Sequence, residues 1–217
     1  MLAVLGTLPP DPQKYAFEFK WDGVRAMCHC DAGPRGGAAR LRLFARSGID
    51  ITGRYPELHA LAYALGRPAM LDGEIVALDE DNRPSFARLQ RRMHVSDPRV
   101  SMRLSGIVPA WYVLFDLLYL DGRDLTRLPY TERRAMLEEL TLAGPSWNLT
   151  PAQEGDGQAM LDVARQNRLE GIVAKRLDSP YEFGRRSPSW IKIKLVGRDE
   201  FVVGGWVPEK GNAATDR

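Results

Sequence analysis

A lysine stands where an apolar strand is expected to end and a turn to begin. In the segment Phe17–Arg25, Lys20 follows a strand-like run with two aromatic residues, and the turn signal Asp22-Gly23 comes two positions later. Partial desolvation at the end of such a strand lowers the pKa of an amine towards the range in which the amine is a nucleophile. The alternative is an ordinary strand–turn–strand hairpin with incidental charges. This segment alone leaves both interpretations open.

Two further lysines share one face of a strand near the other end of the chain. Lys192 and Lys194 alternate with isoleucines in the segment Trp190–Lys194, so both amines leave the same side of the strand. Two ammonium groups arranged in this way can bind phosphate. An edge strand whose charges face water has the same pattern, so the segment predicts either a phosphate contact or a solvated sheet edge.

Acidic and aromatic residues interrupt three other apolar segments. In Leu71–Leu78, either Asp72 closes a turn or Glu74 points into a site, because a buried carboxylate is costly unless it meets a partner, a cation or a hydroxyl. Glu170 is either a solvated helix-end residue or an oxygen ligand of a hard divalent cation. Phe115, in the next apolar segment, is either a core residue or a platform on which a base stacks.

The composition is that of an ordinary soluble globular protein. The chain has 217 residues, of which 44% are hydrophobic and 27% are charged, enough for one sizeable core or one domain plus a fragment. A net charge of +2 and a pI of about 8.6 are too mild to indicate nucleic-acid binding by themselves. No apolar run reaches the roughly 20 residues of a membrane span, and no secretory signal is visible. Cys28 and Cys30 are expected to be reduced, because two positions along one strand give poor disulfide geometry.

The predicted elements favour the α+β class, with antiparallel sheets and packed helices, because strands come in adjacent pairs with helices between them. Thr131 is the predicted cap of the third helix. The glycine-rich segment 33–37 is predicted to be a hairpin loop, since no phosphate-loop pattern follows it. Strands are predicted at 15–20, 24–30, 41–45, 70–78, 112–120, 171–175, 190–195 and 201–207, and helices at 55–65, 85–93, 131–140 and 157–169.

Taken in order, these segments resemble the nucleotidyltransferase motifs of ATP-dependent DNA ligases. Each motif is weak alone, but the ordered set is specific, and its wording is most similar to bacterial ligases of end joining and base-excision repair. The resemblance implies an adenylation domain with a nucleotidyltransferase, ATP-grasp-like fold. The matching segments are 20–25, 46–52 with 55–58, 71–74, 115–118, 170–175 and 190–194.

The resemblance implies three phosphoryl transfers. Lys20 attacks the α-phosphate of ATP, expels pyrophosphate and holds AMP as a phosphoramidate. AMP then passes to the 5′-phosphate of a nick, and the 3′-hydroxyl displaces AMP and seals the strand. Arg25, Lys192, Lys194 and a metal ion would disfavour the protonated form of Lys20 and stabilise charge on the phosphates.

The resemblance also assigns roles around the base. Glu18 would accept a hydrogen bond from the adenine amino group. Phe115 would stack on one face of adenine, and Val173 would pack against the other.

The remaining assignments concern sugar, phosphate and metal. Arg25 and Glu74 would contact the ribose, and Arg25 and Arg46 would reach towards phosphate. Glu170, together with Glu74, would bind Mg²⁺ or Mn²⁺, while Asp22 is interpreted as a turn residue. Five arginines either contact DNA phosphates or form a solvated surface: Arg88, Arg91, Arg92, Arg185 and Arg186.

The domain division and partners follow from the same resemblance. Residues 1–197 are predicted to be the adenylation domain, and residues 198–217 a linker with the first strand of a truncated oligonucleotide-binding barrel. Nicked or broken double-stranded DNA is the expected partner, with other end-joining proteins or fused domains as further candidates. The expected location is cytoplasmic and nucleoid-associated, and nick sealing by this chain alone is expected to be weak.

Two alternatives share many of these features. An RNA ligase or a GTP-using capping enzyme would carry similar motifs, although Glu18 and the segment 46–52 favour ATP and DNA. A non-catalytic nucleotide-binding module would not need a nucleophile. The joint presence of Lys20, Glu74 and Glu170 with the two motif lysines speaks against such a module.

Overall fold

The computed structural model describes residues 1–31 and 39–195. The strands are β1 (Leu2–Leu5), β2 (Tyr15–Phe19), β3 (Val24–Asp31), β4 (Arg40–Ala45), β5 (Ala69–Ala77), β6 (Ala110–Leu120), β7 (Arg123–Asp124), β8 (Trp147–Leu149), β9 (Ala152–Glu154), β10 (Gly171–Arg176) and β11 (Arg186–Lys194). The α-helices are α1 (Ala60–Leu65), α2 (Phe86–Met93), α3 (Pro98–Ile107), α4 (Tyr130–Glu139) and α5 (Gly157–Gln166). Short 3₁₀ helices occupy Pro12–Lys14, Thr52–Arg54 and Pro56–His59.

The described strands form two sheets. The first sheet has the order β1-β11-β10-β2-β9, and the second has the order β4-β3-β5-β6-β7 with β8 added beside β6. Most neighbouring strands are antiparallel, whereas β1 runs parallel to β11 and β8 runs parallel to β6. This architecture confirms the predicted α+β class with antiparallel sheets and packed helices.

Helices cover one face of each sheet. Helix α5 packs on the first sheet through a core that includes Phe17, Ala164, Ile172 and Ile193. The larger core lies against the second sheet, where helix α1 and the 3₁₀ turns meet strands β3 to β6. The alternation of side chains along β2, β10 and β11 therefore sends their other residues to the opposite face of the first sheet.

The ends of two predicted helices differ from the sequence-based prediction. Helix α4 begins at Tyr130 after Pro129, and no side chain caps it. The prediction that Thr131 caps this helix is wrong, because the helix starts one residue earlier and the Thr131 amide donates to the carbonyl of Leu177 (3.1 Å). The helix predicted at 55–65 begins as a 3₁₀ turn and ends, as predicted, at Gly66, which adopts a left-handed conformation (φ 63°).

Several elements have no counterpart in the predicted set. Helix α3 follows the cap Asp97, whose carboxylate accepts from the amides of Arg99 and Val100. The short strands β1, β7, β8 and β9 are of two to four residues each, too short for a period-2 pattern to stand out. The predicted loop at 33–37, the strand at 201–207 and the proposed second domain at 198–217 lie outside the described residues.

Two other expectations concern the cysteines and the membrane. Cys28 and Cys30 are buried free thiols whose sulfur atoms lie 3.5 Å apart, in agreement with the predicted reduced state. Among the described residues, none of the helices combines the length and apolar character that crossing a membrane requires.

Candidate active site

A pocket of about 620 Å³, counted to its open mouth, is lined by both sheets. It lies on the face of the first sheet opposite helix α5. Seven of the sequence-predicted site residues line it: Glu18, Lys20, Arg25, Glu74, Phe115, Val173 and Lys192. The other three do not line it. Glu170 forms an ion pair with Lys20, and Lys194 forms one with Glu170, whereas Arg46 lies elsewhere.

The register of the first sheet aligns the predicted binding residues in a row. Glu18 of β2 lies beside Val173 of β10, and Val173 lies beside Lys192 of β11. Two residues farther along β10, Lys175 lies beside Trp190 of β11, and both also line the pocket. Three separated motifs thus meet on one face because antiparallel pairing brings these strands together in this register.

Lys20 lies just beyond the end of β2, at the mouth of the pocket. Its amide donates to the carbonyl of Gly171 (2.9 Å), and its Nζ forms an ion pair with Glu170. The other carboxylate oxygen of Glu170 pairs with Lys194 Nζ at 2.8 Å. Burial would raise the pKa of Glu170, but hydrogen bonds from Lys194 and Lys20 lower it overall.

Gly171 permits this arrangement. It has φ 145°, and a Cβ at this position would lie 2.0 Å from the carbonyl oxygen of Ile193. A larger residue would push β11 away from β10. The glycine after Glu170 therefore keeps Lys194 within reach of the Glu170 carboxylate.

Arg25 enters the pocket from the second sheet in a fixed orientation. Its guanidinium binds Asp72 through two hydrogen bonds, Nη2 to Oδ2 (2.6 Å) and Nε to Oδ1 (3.1 Å). The Tyr181 hydroxyl also donates to Asp72 Oδ2 (2.6 Å). The guanidinium lies 5.5 Å from the centroid of the Phe115 ring and 5.7 Å from that of Trp190. Burial opposes the charge of Arg25, but Asp72 raises its pKa overall.

Asp72 is therefore not a turn residue. It is buried in the middle of β5, and the interpretation that it closes a turn is wrong. A buried carboxylate inside an apolar strand was the available signal, since such a group requires a cationic partner. The sequence could not say that Arg25 is this partner.

Glu74 is the least satisfied carboxylate of the site. It lies beside Arg25 in the register of β3 and β5 and lines the pocket. Desolvation raises its pKa to about 8, although the charges of Arg25 and Lys20 oppose the shift. No group of three or more potential metal-binding side chains occurs among the described residues.

Aromatic rings and the buried Lys175 form the inner wall. Lys175 Nζ lies 4.5 Å from the Phe115 ring centroid and 4.3 Å from that of Trp190. The same Nζ pairs with Glu18 Oε2 (2.7 Å) and donates to the carbonyl of Phe115 (3.0 Å). The sequence analysis did not assign a role to Lys175 or Trp190. The alternation of side chains along β10 places Lys175 on the same face as Val173, and this pattern could have identified Lys175 as a site residue.

Two groups of predicted arginines lie elsewhere. Arg46 is exposed and lines two adjoining cavities, which also reach Arg25. Arg92 is buried, pairs with Glu57 and donates to the carbonyls of Val108 (2.9 Å) and Arg54 (2.6 Å). The prediction that Arg92 contacts DNA phosphate is therefore wrong, because its guanidinium is already enclosed by the protein. The other four, Arg88, Arg91, Arg185 and Arg186, are exposed or partly exposed.

The pocket thus has an aromatic inner wall and a cluster of amines at its mouth. Comparison with known proteins shows the family to which the chain belongs. Residues 7–194 match the family described as "ATP dependent DNA ligase domain". The chain belongs to this ligase family. This confirms the predicted resemblance to the adenylation domain of ATP-dependent DNA ligases of the bacterial end-joining type.

The ligase relatives are longer than this chain. It is 41% identical over 218 residues to the "Multifunctional non-homologous end joining protein LigD" of Mycolicibacterium smegmatis, covering 99% of this chain and 26% of that protein. The protein of the same name from Pseudomonas aeruginosa is 39% identical, covering 97% of this chain and 24% of that protein. The chain thus spans about a quarter of the length of these curated relatives.

Solved ligase structures have the same fold. The ligase domain of Mycobacterium tuberculosis LigD is 39% identical, with a TM-score of 0.73, covering 89% of this chain and 59% of that chain. A mycobacterial DNA ligase D complexed with ATP and MES is also 39% identical, with a TM-score of 0.74, covering 89% of this chain and 58% of that chain.

Proposed function

We propose that this ligase-family chain transfers AMP from ATP to Lys20 and then to a DNA 5′-phosphate. The observation that carries the proposal is the position of Lys20, which lines the pocket and whose amine contacts the Glu170–Lys194 pair. In the proposed pose, Phe115 and Val173 enclose the base. The triphosphate then extends towards Lys192 and Lys194.

The first step forms a bond between Lys20 Nζ and the α-phosphorus and breaks the bond to pyrophosphate. The amine must lose its proton to attack, and the proton leaves to water. Lys192 and Lys194 stabilise the charge that develops on the phosphates, because donors held in place beforehand need no reorganisation during the reaction. Arg25 is held by Asp72, and in the proposed pose its guanidinium faces the sugar and phosphate.

A divalent cation fits the two acidic residues proposed to hold it. Carboxylate oxygens are the ligands that Mg²⁺ and Mn²⁺ prefer, and Glu74 is a carboxylate of the pocket whose pKa is raised by desolvation. Glu170 already accepts from two ammonium groups. The bound cation would neutralise phosphate charge and replace Lys20 as a partner of Glu170. Phosphate oxygens and water would complete its shell.

The later steps involve DNA. We propose nicked or broken double-stranded DNA as the acceptor and end-joining repair in the cytoplasm, at the nucleoid, as the setting, because the relatives are named for non-homologous end joining. The cavity lined by Arg25, Arg46 and Glu74 adjoins the nucleotide pocket. It is the proposed entrance for the 5′-phosphate. Residues 1–197 remain the proposed adenylation domain.

Labelled ATP and intact-protein mass spectrometry test the proposal. Wild-type protein, first treated with pyrophosphate to remove any AMP already attached, is expected to gain one AMP when ATP and Mg²⁺ are added. Lys20→Ala is expected to gain none, while the exposed-lysine control Lys14→Ala gains AMP like wild type. Labelling that persists in Lys20→Ala would refute the assignment of the nucleophile, and no labelling of folded wild type would favour a non-catalytic module. GTP in place of ATP tests the capping-enzyme alternative.

A further inference from the structure

The inner end of the pocket contains a buried charge cluster that the phosphoryl-transfer steps do not use. Glu18 is 2% exposed, and so is Lys175. Their side chains meet at 2.7 Å between Nζ and Oε2. A charge pair at this depth is retained only when its geometry and hydrogen bonds compensate for the loss of water.

Helix α4 supplies the other partners of Glu18. The Tyr130 hydroxyl donates to Glu18 Oε1 at 2.6 Å. One helical turn later, Arg134 Nη1 lies 3.6 Å from the same oxygen, buried and without a hydrogen-bond partner among the described residues. Two cations and one hydroxyl therefore surround the Glu18 carboxylate.

Lys175 is itself held in place. Its Nζ donates to the carbonyl of Phe115 (3.0 Å), and the rings of Phe115 and Trp190 lie 4.5 and 4.3 Å away. Burial lowers the pKa of Lys175, and the charge of Glu18 opposes this change. The amine cannot move without breaking these contacts, so the Glu18 carboxylate is restrained through it.

The restrained carboxylate has a defined hydrogen-bonding character. An ionised carboxylate only accepts hydrogen bonds and has about four acceptor positions. Lys175 and Tyr130 occupy one position on each oxygen, Arg134 lies near Oε1, and Glu18 is one of the residues that line the pocket. A purine with an amino donor at position 6 satisfies this group, whereas a purine without that amino group leaves it unpaired, which is unfavourable.

We propose that Lys175 and Tyr130 are positioning residues that set base selection, by holding Glu18 as an acceptor for the 6-amino group of the purine. The inference rests on the proposed function, because it assumes that the base enters this end of the pocket. It assigns no contact with phosphate to either residue. Neither Lys175 nor Tyr130 takes part in bond making or bond breaking.

The test compares ATP with purine riboside 5′-triphosphate, which lacks only the 6-amino group. Initial rates of AMP or purine-nucleotide attachment are measured for wild type, Lys175→Met and Tyr130→Phe. Wild type is expected to prefer ATP by about 10- to 100-fold, the range for a hydrogen bond to a charged group. In Lys175→Met the preference falls to less than about 3-fold, with an intermediate value for Tyr130→Phe.

The ratio of the attachment rates with the two nucleotides separates a positioning role from structural damage. If Lys175 only supports the fold, its loss slows both nucleotides equally and the ratio stays at the wild-type value, which overturns the proposal. Lys14→Met, which removes an exposed lysine, is the control and keeps the wild-type ratio. Should Lys175→Met fail to fold, Tyr130→Phe decides the matter, because it removes one oxygen atom and keeps the ring.

Binding measurements distinguish this inference from the proposed function. In a Lys20→Ala background, equilibrium dialysis measures the affinity for both nucleotides without any covalent step. A preference for ATP that depends on Lys175 upholds the inference even if wild type forms no adduct. An adduct on Lys20 with no such dependence refutes the inference and leaves the proposed function intact.

Discussion

The inner, closed end of the pocket and its mouth, the open end, differ in how deeply they bury their charged side chains. At the closed end, the side chains of Glu18 and Lys175 are 3% and 2% exposed. At the open end, those of Lys20, Glu170 and Lys194 are 21%, 25% and 47% exposed. Burial lowers the pKa of the closed-end lysine, whereas a hydrogen bond to Glu170 raises the pKa of Lys194.

This difference matches what each end has to do. Charges at the closed end have low-dielectric surroundings and several fixed partners, so changing one partner leaves another buried and unpaired. Ion pairs at the open end are screened by water and can exchange partners at little free-energy cost. A binding group for the base requires the first condition. A nucleophile that must lose its proton and meet phosphate requires the second.

The largest effect on stability is expected behind the closed end. Asp116 and Arg133 form an ion pair at 2.8 Å whose side chains are 1% and 0% exposed. Arg133→Met leaves the Asp116 carboxylate buried without its cation, which is expected to lower the free energy of unfolding by about 3–5 kcal/mol. Urea denaturation measures this change.

An exposed pair provides the matched control for this substitution. The side chains of Arg176 and Asp178 are 50% and 65% exposed, so Arg176→Met is expected to change the free energy of unfolding by less than about 1 kcal/mol. Equal small losses for the two variants would contradict the contrast between buried and exposed charges.

A pH-dependent effect on stability is expected from Glu74, which lines the pocket. Because its pKa is raised from 4.5 to about 8 in the folded state, the folded protein binds more protons at this residue than the unfolded chain does. This contribution to stability is present below the unfolded pKa and is lost as the pH rises towards the folded value. The free energy of unfolding, compared with that of Glu74→Gln, should therefore fall between about pH 5 and pH 8.

The measurement is urea denaturation at several pH values without divalent cations. Glu80→Gln changes an exposed glutamate and is the control. If the free energy of unfolding of wild type changes with pH in parallel to that of Glu74→Gln across this range, Glu74 is not desolvated as described.

The smallest effect on stability is expected at the open end. Lys194→Met removes an ion pair whose lysine is half exposed, so the free energy of unfolding should change by less than about 1 kcal/mol. The same variant is expected to slow AMP attachment by at least about tenfold, because it removes a cation that the proposal assigns to the phosphates. A loss of stability as large as that of Arg133→Met would erase the proposed difference between the ends.

The sequence predicted much of the fold and most of the pocket lining. Apolar segments such as those around Phe115 and Val173 became central strands, and the glycine stop after α1 was correct. Helix α3 was not predicted, although its proline start and Asp97 cap are visible in the sequence. Arg92 looked like a surface cation because it was grouped with Arg88 and Arg91 on the polar side of the helix predicted at 85–93. Its burial depends on Glu57, which lies 35 positions away.

The sequence by itself determined which chemical groups are present, their order in the chain and which of them share a face of a strand. These properties follow from local backbone geometry, in which side chains alternate at every residue. Only the tertiary structure decided that Asp72 holds Arg25, and that Tyr130 and Lys175 hold Glu18. The contact between Tyr130 and Glu18 joins residues 112 positions apart, and the contact between Lys175 and Glu18 joins residues still farther apart in the chain. They depend on strand register and on the packing of α4, which the whole core determines and no local pattern encodes.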